Sequence, residues 1–171
     1  MKMNTLLLLG SVSALSLFCM PSLAQNATGG DTEQDYISVS VGYFDVFDDE
    51  GAVDFRAEYR AGHTYLNLVK PWAGVEVTSD TSIWAGGGAL IDYEFTPSWY
   101  VTPSVGVGLY TDGDSDLDLD YPIQFRSQLE VSHQYDSGHR AGIALSHTSN
   151  ADLGDDNPGT EVLSFYWHIP Y

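Results

Sequence analysis

Two short polar segments near the C-terminus contain the residue types that nucleophilic catalysis needs. They are residues 146–150 (SHTSN) and 157–161 (NPGTE). A hydroxyl becomes a nucleophile when a neighbouring histidine takes its proton and a carboxylate orients that histidine. His147 and Ser149 are two residues apart, so on a β-strand their side chains share a face, roughly 7 Å apart at the root. Ser149, His147 and Glu161 are therefore a candidate Ser-His-Glu triad.

The elements that carry these residues are predicted by a period of two in the sequence. From Tyr36 onward no helical period is found, and apolar residues alternate with polar or small ones in eight segments. This alternation is typical of strands with two different faces. The apolar residues stand mainly at odd-numbered positions, most clearly in residues 53–60 (VDFRAEYR). The third segment, around residues 65–79, is less regular because Leu66, Leu68 and Trp72 break the phase.

The N-terminal residues predict export from the cytoplasm. Residues 1–24 have a positive start at Lys2, an apolar run over residues 6–18 and small residues before a cleavage point after Ala24, as secretory signals do. We expect a short segment at residues 25–35 and a single barrel domain at residues 36–171. Removal of the signal would also remove the single cysteine, which excludes thiol chemistry, disulfides and cysteine-ligated metals.

Eight strands, an export signal and no long apolar helix after the signal predict an all-β fold. The expected form is an eight-stranded antiparallel transmembrane β-barrel in the bacterial outer membrane, because a closed barrel leaves no unpaired strand edge in lipid. The alternative is a soluble, lipocalin-like barrel or sandwich. Opposite charges on the even-numbered face of residues 53–60 favour the membrane form, as do aromatic residues near the segment ends.

The chain is strongly acidic, with 24 Asp and Glu against six Lys and Arg and a formal net charge of -18. This excludes a nucleic-acid partner, because too few cations are present to neutralise a phosphate backbone. With an even strand count, four connections face outside: residues 45–52, 80–82, 111–121 and 150–160. The first, third and fourth of these loops hold 12 of the 24 acidic residues, and we expect them to be solvated or loosely bridged by divalent cations. An EF-hand is excluded because Leu117 stands where its glycine is required.

The predicted strand faces put the candidate triad in an unusual place. All three residues are odd-numbered, so they lie on the face assigned to lipid, next to the external loop. The alternative is that they are rim residues at the border of a polar loop. The remaining histidines do not indicate a metal site, because their spacing in the sequence is not that of metal ligands. They are His63, His133, His139 and His168.

The two C-terminal segments resemble a known family. The H-x-S-N pattern at residues 147–150 and the N-P-G-x-E pattern at residues 157–161 are similar to the C-terminal motif of PagL-type lipid A 3-O-deacylases, also called acyloxyacyl hydrolases. The resemblance covers residues 36–171 and extends to the final aromatic residue, Tyr171. It implies an eight-stranded outer-membrane barrel whose external Ser-His-Glu triad removes the 3-linked acyl chain of lipid A.

The resemblance also implies roles for the neighbouring residues. Asn150 is the first candidate for stabilising the oxyanion and Asn157 the second, with no metal or organic cofactor required. Family members often have a small residue after the Asn-Ala pair, where a backbone amide contributes to the oxyanion hole, and this chain has Asp152. The rival hypothesis is a non-catalytic barrel, an adhesin or envelope-stabilising protein that acts through its acidic loops.

Overall fold

The computed structural model describes residues 34–47, 51–115 and 117–171. The signal segment predicted at residues 1–24, most of the segment at 25–35 and part of the acidic loops lie outside these ranges. Within the described ranges, no helix is long and apolar enough to cross a membrane. The strands are β1 (Tyr36–Phe44), β2 (Ala52–Arg60), β3 (Lys70–Thr78), β4 (Ile83–Leu90), β5 (Tyr93–Thr96), β6 (Trp99–Thr111), β7 (Ile123–Gln134), β8 (Arg140–Ser149) and β9 (Thr160–Pro170).

The nine strand segments of the described residues close into an antiparallel barrel of eight strands, one of which is interrupted. β1 pairs with both β2 and β9, which joins the two ends of the sheet. β4 and β5 both pair with β6, so they are two parts of one interrupted barrel strand. The interruption falls at Ile91 and Asp92, where the Asp92 carboxylate accepts a hydrogen bond of 2.8 Å from the Thr102 hydroxyl. The prediction of an eight-stranded antiparallel barrel is confirmed.

The third strand begins later than the sequence predicts. The expected start near Tyr65 is wrong, because β3 begins at Lys70. The Tyr65 amide donates to the Val69 carbonyl at 2.7 Å, which closes a turn. Leu66 and Asn67 have φ angles of 54° and 55°, in the left-handed region that strands do not use. The break in alternation at Leu66 therefore marks a turn rather than an irregular strand.

The two faces of the barrel have opposite polarity. Odd-numbered apolar side chains point outward and are exposed, for example Phe55 at 55% and Ile143 at 61%. Even-numbered polar and charged side chains such as Glu58 and Arg126 point inward and are buried. A soluble barrel would bury its apolar face, whereas a barrel in a bilayer presents that face to lipid. The predicted transmembrane barrel is thus confirmed over the soluble alternative.

The fixed positive charges of the described chain all belong to the barrel interior. Each cation is paired with an inward-facing carboxylate, and the five are Arg56, Arg60, Lys70, Arg126 and Arg140. Pairing of this kind offsets part of the cost of removing charges from water. The outward surface of residues 34–47, 51–115 and 117–171 consequently has no Lys or Arg side chain.

A long loop folds over the mouth of the barrel on the side of the acidic connections. Leu119, in the loop between β6 and β7, is 1% exposed. Its backbone carbonyl accepts hydrogen bonds from the side-chain amides of Gln124 and Asn150, both at 3.1 Å. Nearby, Leu117 packs on a small buried cluster of Phe44, Ala52 and Val162. These contacts hold the loop after β6 against the loop after β8.

Candidate active site on the barrel exterior

His147 and Glu161 form a hydrogen-bonded pair on the outer surface of the barrel. The antiparallel register of β8 and β9 places them directly opposite each other. The imidazole Nδ1 lies 2.8 Å from Oε1 of Glu161. Both side chains are accessible, with exposed fractions of 47% for His147 and 29% for Glu161. A carboxylate at Nδ1 fixes the orientation of the ring and leaves Nε2 available for proton transfer.

Ser149 ends β8 and lies two residues beyond His147 on the same outward face. Its side chain is half-buried, and Phe125 of β7 lies opposite it in the register. Among the contacts of the described residues, no hydrogen bond joins the Ser149 hydroxyl to the His147 ring. Bonds of this kind are often long before substrate binds. The three residue types of the candidate triad thus share one face at the loop end of the barrel.

Asn150 has a different location from the other candidates, because its side chain points into the barrel. It is 1% exposed, and its Nδ2 donates to the carbonyls of Leu119 at 3.1 Å and Asp156 at 2.7 Å. These two bonds use both N–H groups of the side-chain amide. The backbone N–H of Asn150 donates to Oδ1 of Asn157 at 3.1 Å. Asn150 therefore anchors the loop after β8, and Asn157 is exposed with its amide oriented by that bond.

The loop that follows Asn150 explains the presence of Asp152. Ala151 and Asp152 have φ angles of 55° and 63°, so two successive residues adopt the left-handed conformation. Glycine adopts this conformation without strain, and aspartate tolerates it better than most other residues. Asp152 is accordingly compatible with a backbone that favours a small residue.

An apolar groove adjoins the candidate triad on the side of the bilayer. It has a volume of about 310 Å³ and is lined mainly by side chains of β1, β8 and β9: Val41, Tyr43, Ile143, Leu163 and Phe165. Leu163 follows Glu161 by two residues on the same outward face. The alternation in the sequence predicts that these side chains face lipid, but it does not predict the groove, which depends on their shapes.

A second cavity lies above the triad, between the loops after β6 and β8. It has a volume of about 540 Å³ and is lined by three carboxylates and two further residues: Asp118, Asp120, Asp156, Asn157 and Pro158. The Asp156 backbone N–H donates to Oδ2 of Asp120 at 2.9 Å, which links the two loops. In the described part of the chain, no group of three or more His, Cys, Asp or Glu side chains is arranged to hold a metal ion.

Fold and site together define a class of protein: a transmembrane β-barrel with a candidate hydrolase site on its lipid-facing surface. The model of one family, Lipid A 3-O-deacylase (PagL), matches residues 52–170. This match spans well over half of the chain, and the chain belongs to the PagL family of lipid A 3-O-deacylases. It is an outer-membrane barrel, as its sequence predicted.

Solved structures support the same architecture. The crystal structure of the outer membrane enzyme PagL has a TM-score of 0.61 at 18% identity, covering 80% of this chain and 99% of that chain. For Neisserial surface protein A the TM-score is 0.61 at 10% identity, with coverages of 80% and 97%. A designed transmembrane β-barrel gives 0.57 at 10% identity, with coverages of 80% and 96%. These identities establish the fold alone, and no curated protein matches the sequence.

Proposed function

We propose that the chain is an esterase that removes the 3-O-linked acyl chain of lipid A in the outer leaflet. The observation that carries this proposal is the 2.8 Å hydrogen bond between His147 and Glu161 on the lipid-facing surface. Ser149 lies two residues beyond His147 on the same face. Polar groups on this face are costly unless they serve a purpose at the membrane boundary. Membership of the PagL family supplies the substrate class.

The chemistry follows the general scheme of serine esterases. The Ser149 hydroxyl oxygen attacks the ester carbonyl carbon while His147 Nε2 takes the hydroxyl proton, and Glu161 stabilises the resulting imidazolium. When the tetrahedral intermediate collapses, the bond to the sugar oxygen breaks and His147 donates its proton to that oxygen. Water then attacks the acyl-serine with His147 again as base, which releases the fatty acid and restores Ser149.

Asn157 is the better of the two side-chain candidates for stabilising the oxyanion. The amide N–H groups of Asn150 are bonded to the carbonyls of Leu119 and Asp156, so they are not free for a substrate. Asn157 is exposed and uses its oxygen as the acceptor for the Asn150 backbone N–H, which leaves Nδ2 as a donor. We therefore assign the donor role to Asn157 and the role of loop anchor to Asn150.

The apolar groove provides a place for the acyl chain that is removed. It starts at Leu163, two residues from Glu161 on the same face, and continues along the lipid-facing surface past Phe165. An acyl chain that enters this groove moves from lipid to another apolar surface, so no apolar area is removed from water. The groove is therefore expected to contribute by positioning the substrate rather than by the hydrophobic effect. The ester at the top of the chain would then lie at the level of the triad.

Mass spectrometry of lipid A tests the proposed activity. The chain would be produced in a bacterium whose lipid A keeps its 3-O-linked acyl chains, with an empty vector as control. We expect lipid A to lose the mass of one 3-O-linked acyl chain when the barrel is inserted. Unmodified lipid A in cells with a correctly inserted barrel would contradict the proposal and favour a non-catalytic barrel.

The distribution of charge suggests how an anionic glycolipid is held. Lipid A carries phosphates, whereas the cations of the described chain lie inside the barrel and the cavity above the triad is lined by Asp118, Asp120 and Asp156. We propose that divalent cations bridge loop carboxylates to these phosphates. In this proposal the cations contribute to binding and take no part in the chemical step.

A chelator should therefore affect the two types of substrate differently. Removal of divalent cations with EDTA is expected to raise KM for purified lipopolysaccharide several-fold, because repulsion between carboxylates and phosphates is no longer offset. The hydrolysis of a small uncharged ester should be unaffected. Rates on both substrates would be measured with the barrel in detergent micelles, with and without added Mg²⁺. Equal rates on lipopolysaccharide in both conditions would exclude the bridging role.

A further inference from the structure

The imidazole of His147 lies against the backbone of Gly159, the glycine of the N-P-G-x-E pattern. A Cβ built on Gly159 would overlap Cε1 of the ring and lie 3.2 Å from Nε2 and 3.3 Å from Nδ1. These three atoms are the nearest neighbours of that Cβ, and all belong to one side chain. The space beside Gly159 is thus the space that the imidazole occupies.

Gly159 is required for its lack of a side chain rather than for its backbone conformation. Gly113 and Gly138 have φ angles of 62° and 84°, where a side chain would be strained, but Gly159 is outside this region. Alanine at position 159 is therefore compatible with the backbone. The added methyl group would conflict with the His147 ring alone, and the ring can move by rotation about its side-chain bonds.

Movement of the ring would disturb its bond to Glu161. Residues 159 and 161 belong to the same short stretch of chain, so one stretch supplies both the surface beside the ring and the carboxylate that holds Nδ1. The His147 side chain is 47% exposed, so the ring has room to swing outward. A ring displaced in this way would also change its position relative to Ser149, two residues along the same face.

We propose that Gly159 is a positioning residue for the general base, because its missing side chain lets the His147 imidazole lie where Glu161 holds it, on the face that it shares with Ser149. This inference rests on the proposed function and adds a residue to its mechanism. It predicts that a single methyl group at position 159 lowers catalysis without altering the groove or the interior of the barrel.

The Gly159→Ala variant tests the inference by kinetics and by NMR. We expect kcat for deacylation to fall about a hundredfold with KM unchanged, since a displacement of about 1 Å at a reacting group has this effect. In a sample labelled with ¹³C at histidine Cε1, the His147 signal should move, and its assignment comes from His147→Ala. The other four histidines are internal controls: His63, His133, His139 and His168.

An unmoved His147 signal, an unchanged kcat or a loss carried by KM would overturn the inference. An inactive wild-type chain with a normal His147 signal would instead contradict the proposed function. If Gly159→Ala does not insert, the double variant with His147→Ala decides. Insertion of the double variant would attribute the failure to the ring and support the inference, whereas a second failure would indicate a backbone role and overturn it.

Discussion

Cells that produce the Ser149→Ala variant are expected to keep the 3-O-linked acyl chain on their lipid A while the variant barrel inserts normally. Without the hydroxyl no acyl-serine can form, and the rate should fall by at least about three orders of magnitude. The fold should persist because Ser149 is at the end of β8, faces outward and is half-buried. Mass spectrometry measures the first effect, and the shift between heated and unheated samples on a gel measures the second.

Ser127→Ala is the matched control for this prediction. Ser127 faces outward on β7 and lies directly opposite His147 in the register, so the same atom is removed beside the same imidazole. Its deacylation should be close to that of the wild-type chain. Deacylation that survives in Ser149→Ala but is lost in Ser127→Ala would transfer the role of nucleophile to the cross-strand serine. Activity in both variants would remove Ser149 from the mechanism.

Strand parity explains why much of the barrel and part of the site could be predicted from the sequence. Outside the irregular β5, antiparallel partners have the same parity, as Ile37 has with Tyr59 and His147 with Glu161. Because cross-strand neighbours share a face, odd-numbered residues lie on one face and even-numbered residues on the other all around the barrel. The same rule places Asn150 inside, on the face opposite Ser149, and that signal was present in the sequence.

The remaining features depend on geometry that alternation does not describe. The late start of β3 follows from left-handed backbone angles at Leu66 and Asn67. The role of Gly159 depends on the side-chain angles of His147, because these angles bring the ring against that glycine. Parity predicts the face on which a side chain lies. The start of β3 depends instead on backbone angles, and the position of the His147 ring depends on side-chain angles.

In the barrel interior, Arg126→Met is expected to lower the free energy of unfolding by roughly 3–5 kcal/mol. The Arg126 guanidinium bonds to Glu58 and Glu76 and lies 4.5 Å from the ring centroids of both Trp72 and Trp84. The side chain is 2% exposed, so its removal leaves two carboxylates with one cation fewer in a site of low water access. Urea titration of the barrel in phospholipid vesicles, followed by tryptophan fluorescence, measures the change.

A double variant separates the effect of charge from that of packing. Adding Glu76→Gln to Arg126→Met removes one of the two carboxylates that Arg126 contacts, which reduces the excess negative charge, so part of the stability should return. Glu58 keeps its ion pair with Arg60, and Arg56 keeps its ion pair with Asp54. No recovery would attribute the loss to the contacts with the two tryptophans. Arg126 pairs with Thr148 in the register of β7 and β8, between the positions of His147 and Ser149. A loss below about 1 kcal/mol for the single variant would mean that water solvates the interior charges. The ion pairs would then contribute little to holding β7, beneath the site, to β2 and β3 across the barrel.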